Sequence, residues 1–255
     1  TLLVRRFESS IAAFRSTLEK MISTYEEMIG YVNENGFFPI YKKGDLPSYT
    51  ELEGMDESEI DDFFVEFTKN KGDSFKKIKA EELDLERFLS DLKGDLSLLQ
   101  GIHDEWKNAA PDSDPKFDEV VLMINESLKD NPDRKIVVFT EFADTANYLA
   151  KKCSAYGLDR VFKYTGQDGS TANKEIVREN FDAGLKEKSQ KNDFDVIIAT
   201  DAISEGFNLH RAGAIINYDI PYNPTRVIQR VGRINRINRK VFDELYIYNF
   251  FPTLT

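Results

Sequence analysis

The chain has 255 residues, 41% hydrophobic and 31% charged, enough for a substantial buried core and typical of a globular protein rather than a disordered or fibrous one. Its formal charge of −11 excludes a uniformly basic nucleic-acid binder, and its apolar runs, such as Ile136 to Phe139 and Val196 to Ala199, are about four residues long, far short of a membrane span. One cysteine excludes an intrachain disulfide, no Cys/His cluster has zinc spacing, and no basic segment followed by an apolar one opens the chain. A cytoplasmic, reducing setting is therefore expected (nucleoid-associated if the source is bacterial), with no membrane and no metal site. The start at Thr1 is what a fragment or a processed product would show.

Ile11, Phe14, Leu18, Met21 and Ile22 recur at three- and four-residue spacing, so residues 1–30 are read as a leading helix with one buried stripe. A turn-rich stretch follows, with Asn33 to Gly36, Pro39, Lys43 to Asp45 and Pro47. Residues 31–130 are read as an acidic, mainly helical insertion. From Asp45 to Glu105 it carries 18 acidic residues against seven basic, which is the whole imbalance of the chain. Leu83, Leu85, Phe88, Leu89, Leu92, Leu96 and Leu99 keep helical spacing. Pro111 and Pro115 break it, and Phe117, Val120, Val121, Ile124 and Leu128 predict a further amphipathic helix. Two readings of the insertion stand side by side: a helical spacer with a solvated acidic face, or a mimic of nucleic-acid charge that gates a cleft or docks a basic protein partner. Glu51 to Asp62 is expected to be partly disordered. No internal repeat or low-complexity tract is visible.

The pattern changes at Lys135. Ile136 to Phe139, Val161 to Tyr164, Phe194 to Ala199, Ala214 to Asn217 and Leu245 to Phe250 read as five strands, with helices over Thr145 to Ala155 and Thr171 to Ala183. Apolar strands alternating with helices predict an α/β fold in residues 131–255, a mostly parallel sheet with helices on both faces. Ligands of such sheets bind beyond the carboxyl ends of the strands. Thr140-Glu141, Thr200-Asp201 and Tyr218-Asp219 occupy those positions, where a helix cap is the plain alternative.

Asn223 followed by Pro224 starts a helix. At 100° per residue, Val227, Ile228, Val231 and Ile234 fall on one side, and Gln229, Arg233 and Arg236 on the other, flanked by Arg226 and Arg230. Arg226 to Lys240 holds six basic residues and no acid, so no acid at i±4 pairs with Arg226, Arg230, Arg233 or Arg236. A planar guanidinium cluster left unpaired suits phosphate. Cys153 and Trp106 read as packing residues, and His103 and His210 have no partner that spacing identifies.

Gln229-Arg-Val-Gly-Arg-Ile-Asn-Arg236 resembles motif VI of the superfamily 2 helicases and translocases. Ile198-Ala-Thr-Asp-Ala-Ile-Ser-Glu-Gly-Phe-Asn-Leu209 resembles motif V, Lys135-Ile-Val-Val-Phe-Thr-Glu-Phe142 motif IV, and Tyr218-Asp-Ile-Pro-Tyr-Asn-Pro224 the segment joining V to VI. Ser204-Glu-Gly-Phe-Asn208, the Tyr-Asn-Pro lead and the opening Arg5-Arg-Phe-Glu-Ser-Ser10 are most similar to the Swi/Snf-like branch in its bacterial form. Ile237-Asn238-Arg239 departs from the Ile-Gly-Gln usual in that branch.

The resemblance implies a RecA-like C-terminal lobe of an ATP-dependent helicase or translocase, with ATP in the cleft between two lobes. Carried over, Arg233 and Arg236 are arginine fingers that neutralise charge during phosphoryl transfer. Gln229, Arg230, Glu205, Gly206 and Asn208 lie at the nucleotide cleft. Thr140, Thr165, Gly166 and Thr200 contact backbone phosphates, which positions nucleic acid without reading bases. The partners implied are nucleic acid, duplex DNA in this branch, and an N-terminal RecA-like lobe of the same protein. ATP and Mg2+ would be bound mainly by that lobe. None of the 14 glycines precedes lysine, so no Walker A loop is present, and neither Asp104-Glu105 nor Asp118-Glu119 follows a buried strand as a Walker B box does. The chain alone is expected not to hydrolyse ATP. The rival reading is a catalytically inactive nucleic-acid or protein-binding module on the same scaffold.

Overall fold

In the computed structural model, residues 2–35, 37–41, 75–79, 84–107, 114–204, 206–235 and 241–251 are described. They divide into two compact units, residues 1–7 with 11–110, and residues 8–10 with 111–255.

The first unit contains helices α1 (Leu2–Ser9, its last two residues belonging to the other unit), α2 (Ile11–Asn35) and α3 (Leu85–Lys107) and a strand pair, β1 (Phe37–Tyr41) and β2 (Phe75–Lys79). Phe14 and Leu18 of α2 meet Leu99 of α3, with Met21, Ile22, Tyr25 and Trp106 packed around them. Phe7, Phe14 and Trp106 form an edge-to-face trio with centroids 4.9 to 5.9 Å apart. The helical spacing of the leucines is thus realised in α3. The antiparallel pairing of Phe37–Tyr41 with Phe75–Lys79 departs from the mainly helical reading. Phe37-Phe-Pro-Ile-Tyr41 is a strand-forming run, but its partner lies more than thirty residues away with no local turn to announce it. Pro39 is tolerated because both strands of a two-stranded sheet are edges. Most of the acidic window, including Glu51 to Asp62, lies outside the described residues.

The second unit is the α/β lobe. Helix α4 (Pro115–Asp130) leads into β3 (Lys135–Phe139), followed by α5 (Ala143–Ala155), β4 (Val161–Tyr164), α6 (Thr171–Phe181), β5 (Val196–Ala199), β6 (Ala212–Asn217), α7 (Pro224–Ile234) and β7 (Tyr246–Asn249). The five strands form one sheet in the order β4-β5-β3-β6-β7, parallel at every pairing. Alternation along each strand supplies two cores. Ile136, Val138, Val196, Ile198, Ala214 and Ile216 face Phe117, Val120 and Ile124 of α4 and Ala146, Leu149 and Cys153 of α5. Val137, Phe139, Ile197, Ala199 and Ile215 face Val177 and Phe181 of α6 and Ile234 of α7. The expected α/β class, with helices on both faces, is what the chain forms.

Local chemistry sets the helix starts. The Asp114 carboxylate accepts the Phe117 N–H at 3.0 Å ahead of Pro115, and the Ser170 hydroxyl accepts the Asn173 N–H at 3.2 Å. Because α4 packs into the sheet core, the compact unit reaches back to residue 111, twenty residues before the start at 131 expected from the sequence. Gly213 on β6 admits a close approach: a Cβ there would sit 2.6 Å from Arg134 Cγ and 2.8 Å from Phe242 Cδ2.

Candidate functional site

Five parallel strands bring their carboxyl ends to one edge of the sheet. Thr140 follows β3, Thr165 follows β4, Thr200 and Asp201 follow β5, and Tyr218 and Asp219 follow β6. Helix α7 begins beyond the same edge, its N-cap Asn223 accepting the Thr225 N–H at 3.0 Å ahead of the first turn.

Helix α7 is turned differently from the sequence expectation. Arg230 and Ile234 are buried, Val227 and Val231 are half-buried, and Ile228 is 71% exposed. The stripe facing the sheet is therefore 227, 230, 231 and 234, with a guanidinium in it. Asp201 explains this. Its carboxylate takes Arg230 Nε at 2.7 Å and Nη2 at 3.0 Å, while Nη1 donates to Asn217 Oδ1 at 2.9 Å and to the Asp219 carbonyl at 3.3 Å. The guanidinium also lies 4.9 Å from the Phe139 ring centroid. A charge so fully paired can be buried, where a lone one could not. Asp201 reaches Arg226 as well, at 3.5 Å. No acid lies within four residues on the helix; the neutralising acid comes from the turn after β5, 29 positions away, beyond the reach of a spacing argument. Arg230, expected at the nucleotide cleft, faces into the lobe.

Of the other residues expected at the nucleotide, Gln229 is exposed and Arg233 half-buried. Among the described residues neither side chain has a hydrogen-bond or ion-pair partner. Arg236 lies outside the described residues, as does Glu205. Gly206 is exposed at φ +86°, a left-handed conformation that glycine adopts without strain. The following residues return to the lobe: Phe207 packs edge-on to Tyr164 at 5.3 Å, and the Leu209 N–H donates to the Arg233 carbonyl at 3.1 Å. That bond ties the loop after β5 to the last turn of α7. Asn208 Nδ2 donates to Asp182 at 3.5 Å, and the buried His210 ring lies 3.7 Å from the same carboxylate.

The residues expected at nucleic acid are unequal in their access. The Thr140 side chain is buried and its hydroxyl donates to Asp219 at 2.6 Å. Thr165 is buried too, its hydroxyl donating to Asp168 at 2.7 Å and its N–H to the same oxygen at 2.8 Å. Gly166 is exposed at the start of the short helical turn that follows. The Thr200 hydroxyl has no partner among the described residues. Beside this edge, Lys116 lies over the Tyr218 ring at 3.9 Å. Burial lowers its ammonium from the ordinary value, against the opposing pull of Asp219, Asp114 and Glu8. Burial likewise raises the Tyr218 phenol. Among the described residues no three His, Cys, Asp or Glu side chains gather as a metal site would need, and no helix is long and apolar enough to cross a membrane.

The lobe has a counterpart among known families. Residues 116–238 match the helicase conserved C-terminal domain. Three relatives bear on it. The chain is 33% identical over 120 residues to YqhH of Bacillus subtilis, an uncharacterized ATP-dependent helicase, covering 46% of this chain and 19% of that protein. It is 28% identical over 109 residues to the ATP-dependent DNA helicase mph1 of Aspergillus niger, covering 42% and 10%. It is 28% identical over 109 residues to the ATP-dependent RNA helicase DeaD of Buchnera aphidicola, covering 43% and 18%. The helicase C-terminal match starts in α4, in agreement with the packing of that helix into the lobe. The chain spans less than a fifth of each of these relatives.

Proposed function

We propose that this chain is the second lobe of an ATP-dependent helicase or translocase of the Swi/Snf-like branch. It supplies arginine fingers, Arg233 and Arg236, to ATP held with Mg2+ by a first lobe outside this chain, and it contacts the phosphate backbone of duplex DNA through the strand-end edge. One observation carries the reading. Asp201 pairs with Arg230 and reaches Arg226, whereas the half-buried Arg233 on the same helix has no hydrogen-bond or ion-pair partner among the described residues. A lobe that used its arginines only for internal cohesion would have paired all of them. An unpaired planar cation, fixed by a helix anchored to the sheet, is organised in advance for phosphate oxygens. The chain by itself is not expected to hydrolyse ATP.

The test is ATP turnover by the full-length protein with duplex DNA, single-stranded DNA and RNA across a salt series. Duplex DNA is predicted to stimulate most. The apparent affinity should fall steeply as salt rises if phosphate contacts dominate. A protein that no nucleic acid stimulates would contradict the reading, and one stimulated by RNA alone would reassign the substrate.

A further inference from the structure

The Asp219 carboxylate, five residues before the first residue of α7, gathers donors from distant parts of the lobe. Its Oδ2 accepts the Thr140 hydroxyl and the Ser9 hydroxyl, each at 2.6 Å, and its Oδ1 accepts the Glu141 N–H at 2.6 Å. Behind Ser9, the Thr145 hydroxyl stands 2.8 Å from the hydroxyls of both Ser9 and Ser10. Lys116 donates to the carbonyls of Glu8 and Ser9 at 2.9 and 3.2 Å. Ser9, Ser10, Thr140 and Thr145 are buried. A hydroxyl has one proton to give. Ser9 gives its proton to Asp219, so Thr145 donates to Ser9, and Ser10 in turn donates to Thr145. The relay Ser10–Thr145–Ser9–Asp219 runs one way and ends on a group that must accept.

We propose that Asp219 is a positioning residue of the motor. It locks the tripeptide Glu8–Ser10, the Thr140–Glu141 turn and the segment leading into α7 into one body. A shift of α7 on nucleotide binding is then delivered to the strand-end turn and to the tripeptide that opens the lobe. The inference rests on the two-lobed motor reading and names a residue that is itself neither a finger nor a phosphate contact but holds the turn carrying Thr140. Its chemistry is specific: three donors converge, so only a group with acceptors on both atoms can hold them.

The experiment is a double-mutant cycle in the full-length protein, read as nucleic-acid-stimulated kcat, KM for ATP and nucleic-acid affinity. Asp219→Asn conserves volume but turns an amide donor toward donors. It is expected to lower the stimulated kcat by roughly two- to thirtyfold, with KM for ATP little changed. Ser9→Ala should lower kcat in the same direction, and the double variant should fall no further than Asp219→Asn alone. If Asp219→Asn does not fold, Ser9→Ala and Thr145→Val carry the decision, since each removes hydroxyl contacts and leaves the carboxylate in place. Folded variants that turn over like the wild type would overturn the proposal, as would a double variant whose loss is the product of the single losses. A wild-type protein that nucleic acid fails to stimulate would instead overturn the motor reading and this proposal with it. The two failures are thereby told apart.

Discussion

Arg230 and Arg233 lie three positions apart on one helix and meet opposite fates, which the partners alone decide. Arg230 is fully buried against Asp201 and Asn217, so its charge belongs to the cohesion of the lobe. Asp201→Asn would keep the shape of the pair and leave a buried guanidinium facing a neutral amide. Removing one member of such a pair costs on the order of 3 kcal/mol, a large share of the roughly 5–15 kcal/mol by which a domain is stable. The urea midpoint of the variant should fall accordingly with the m-value retained. A loss below about 0.5 kcal/mol, the size of an ordinary surface change, would show that Asp201 is not what permits Arg230 inside. The basic character of the helix was legible in the sequence. The burial and pairing of Arg230 were not, because the deciding acid arrives from another element.

At the scale of elements, the strands and helix starts were legible because their signals are local. Ile136 to Phe139 forms β3, the polar residues after the strands fall at the carboxyl edge, and Asn223 with Pro224 opens α7. The face of α7 was misjudged, since counting apolar residues put Ile228 inside and the helix instead buries Arg230. The pairing of β1 with β2 was invisible for the same long-range reason. Gly213 is an element-scale constraint that no periodicity displays. Arg134 crosses it, held by Asp130 at 3.0 Å and stacked 4.6 Å from the Tyr246 ring centroid, so it has little freedom to yield. Gly213→Ala should therefore destabilise the lobe by roughly 1–3 kcal/mol through overpacking, measured as a lowered urea midpoint. A neutral or stabilising effect would mean that Arg134 moves aside. By contrast, Ile228→Ser should stay within about 0.5 kcal/mol of the wild type, as exposed positions do.

Across the whole molecule, the sign of charge is segregated. The acidic window lies ahead of residue 110, and the basic cluster lies on and just after α7. The net charge of −11 therefore says little about the strand-end edge, where function is proposed. The family likeness was carried by short motifs that coincide with the strand ends, and the helicase C-terminal match over residues 116–238 agrees with them in place. The start of the lobe was legible only from packing, since α4 reads in sequence like any amphipathic helix. If Arg233 meets the nucleotide of a neighbouring lobe, as proposed, the decisive measurement is single-turnover ATP hydrolysis by the full-length Arg233→Ala variant. The rate is expected to fall by about 10³ to 10⁵ with ATP still bound; hydrolysis at the wild-type rate would rule the finger role out.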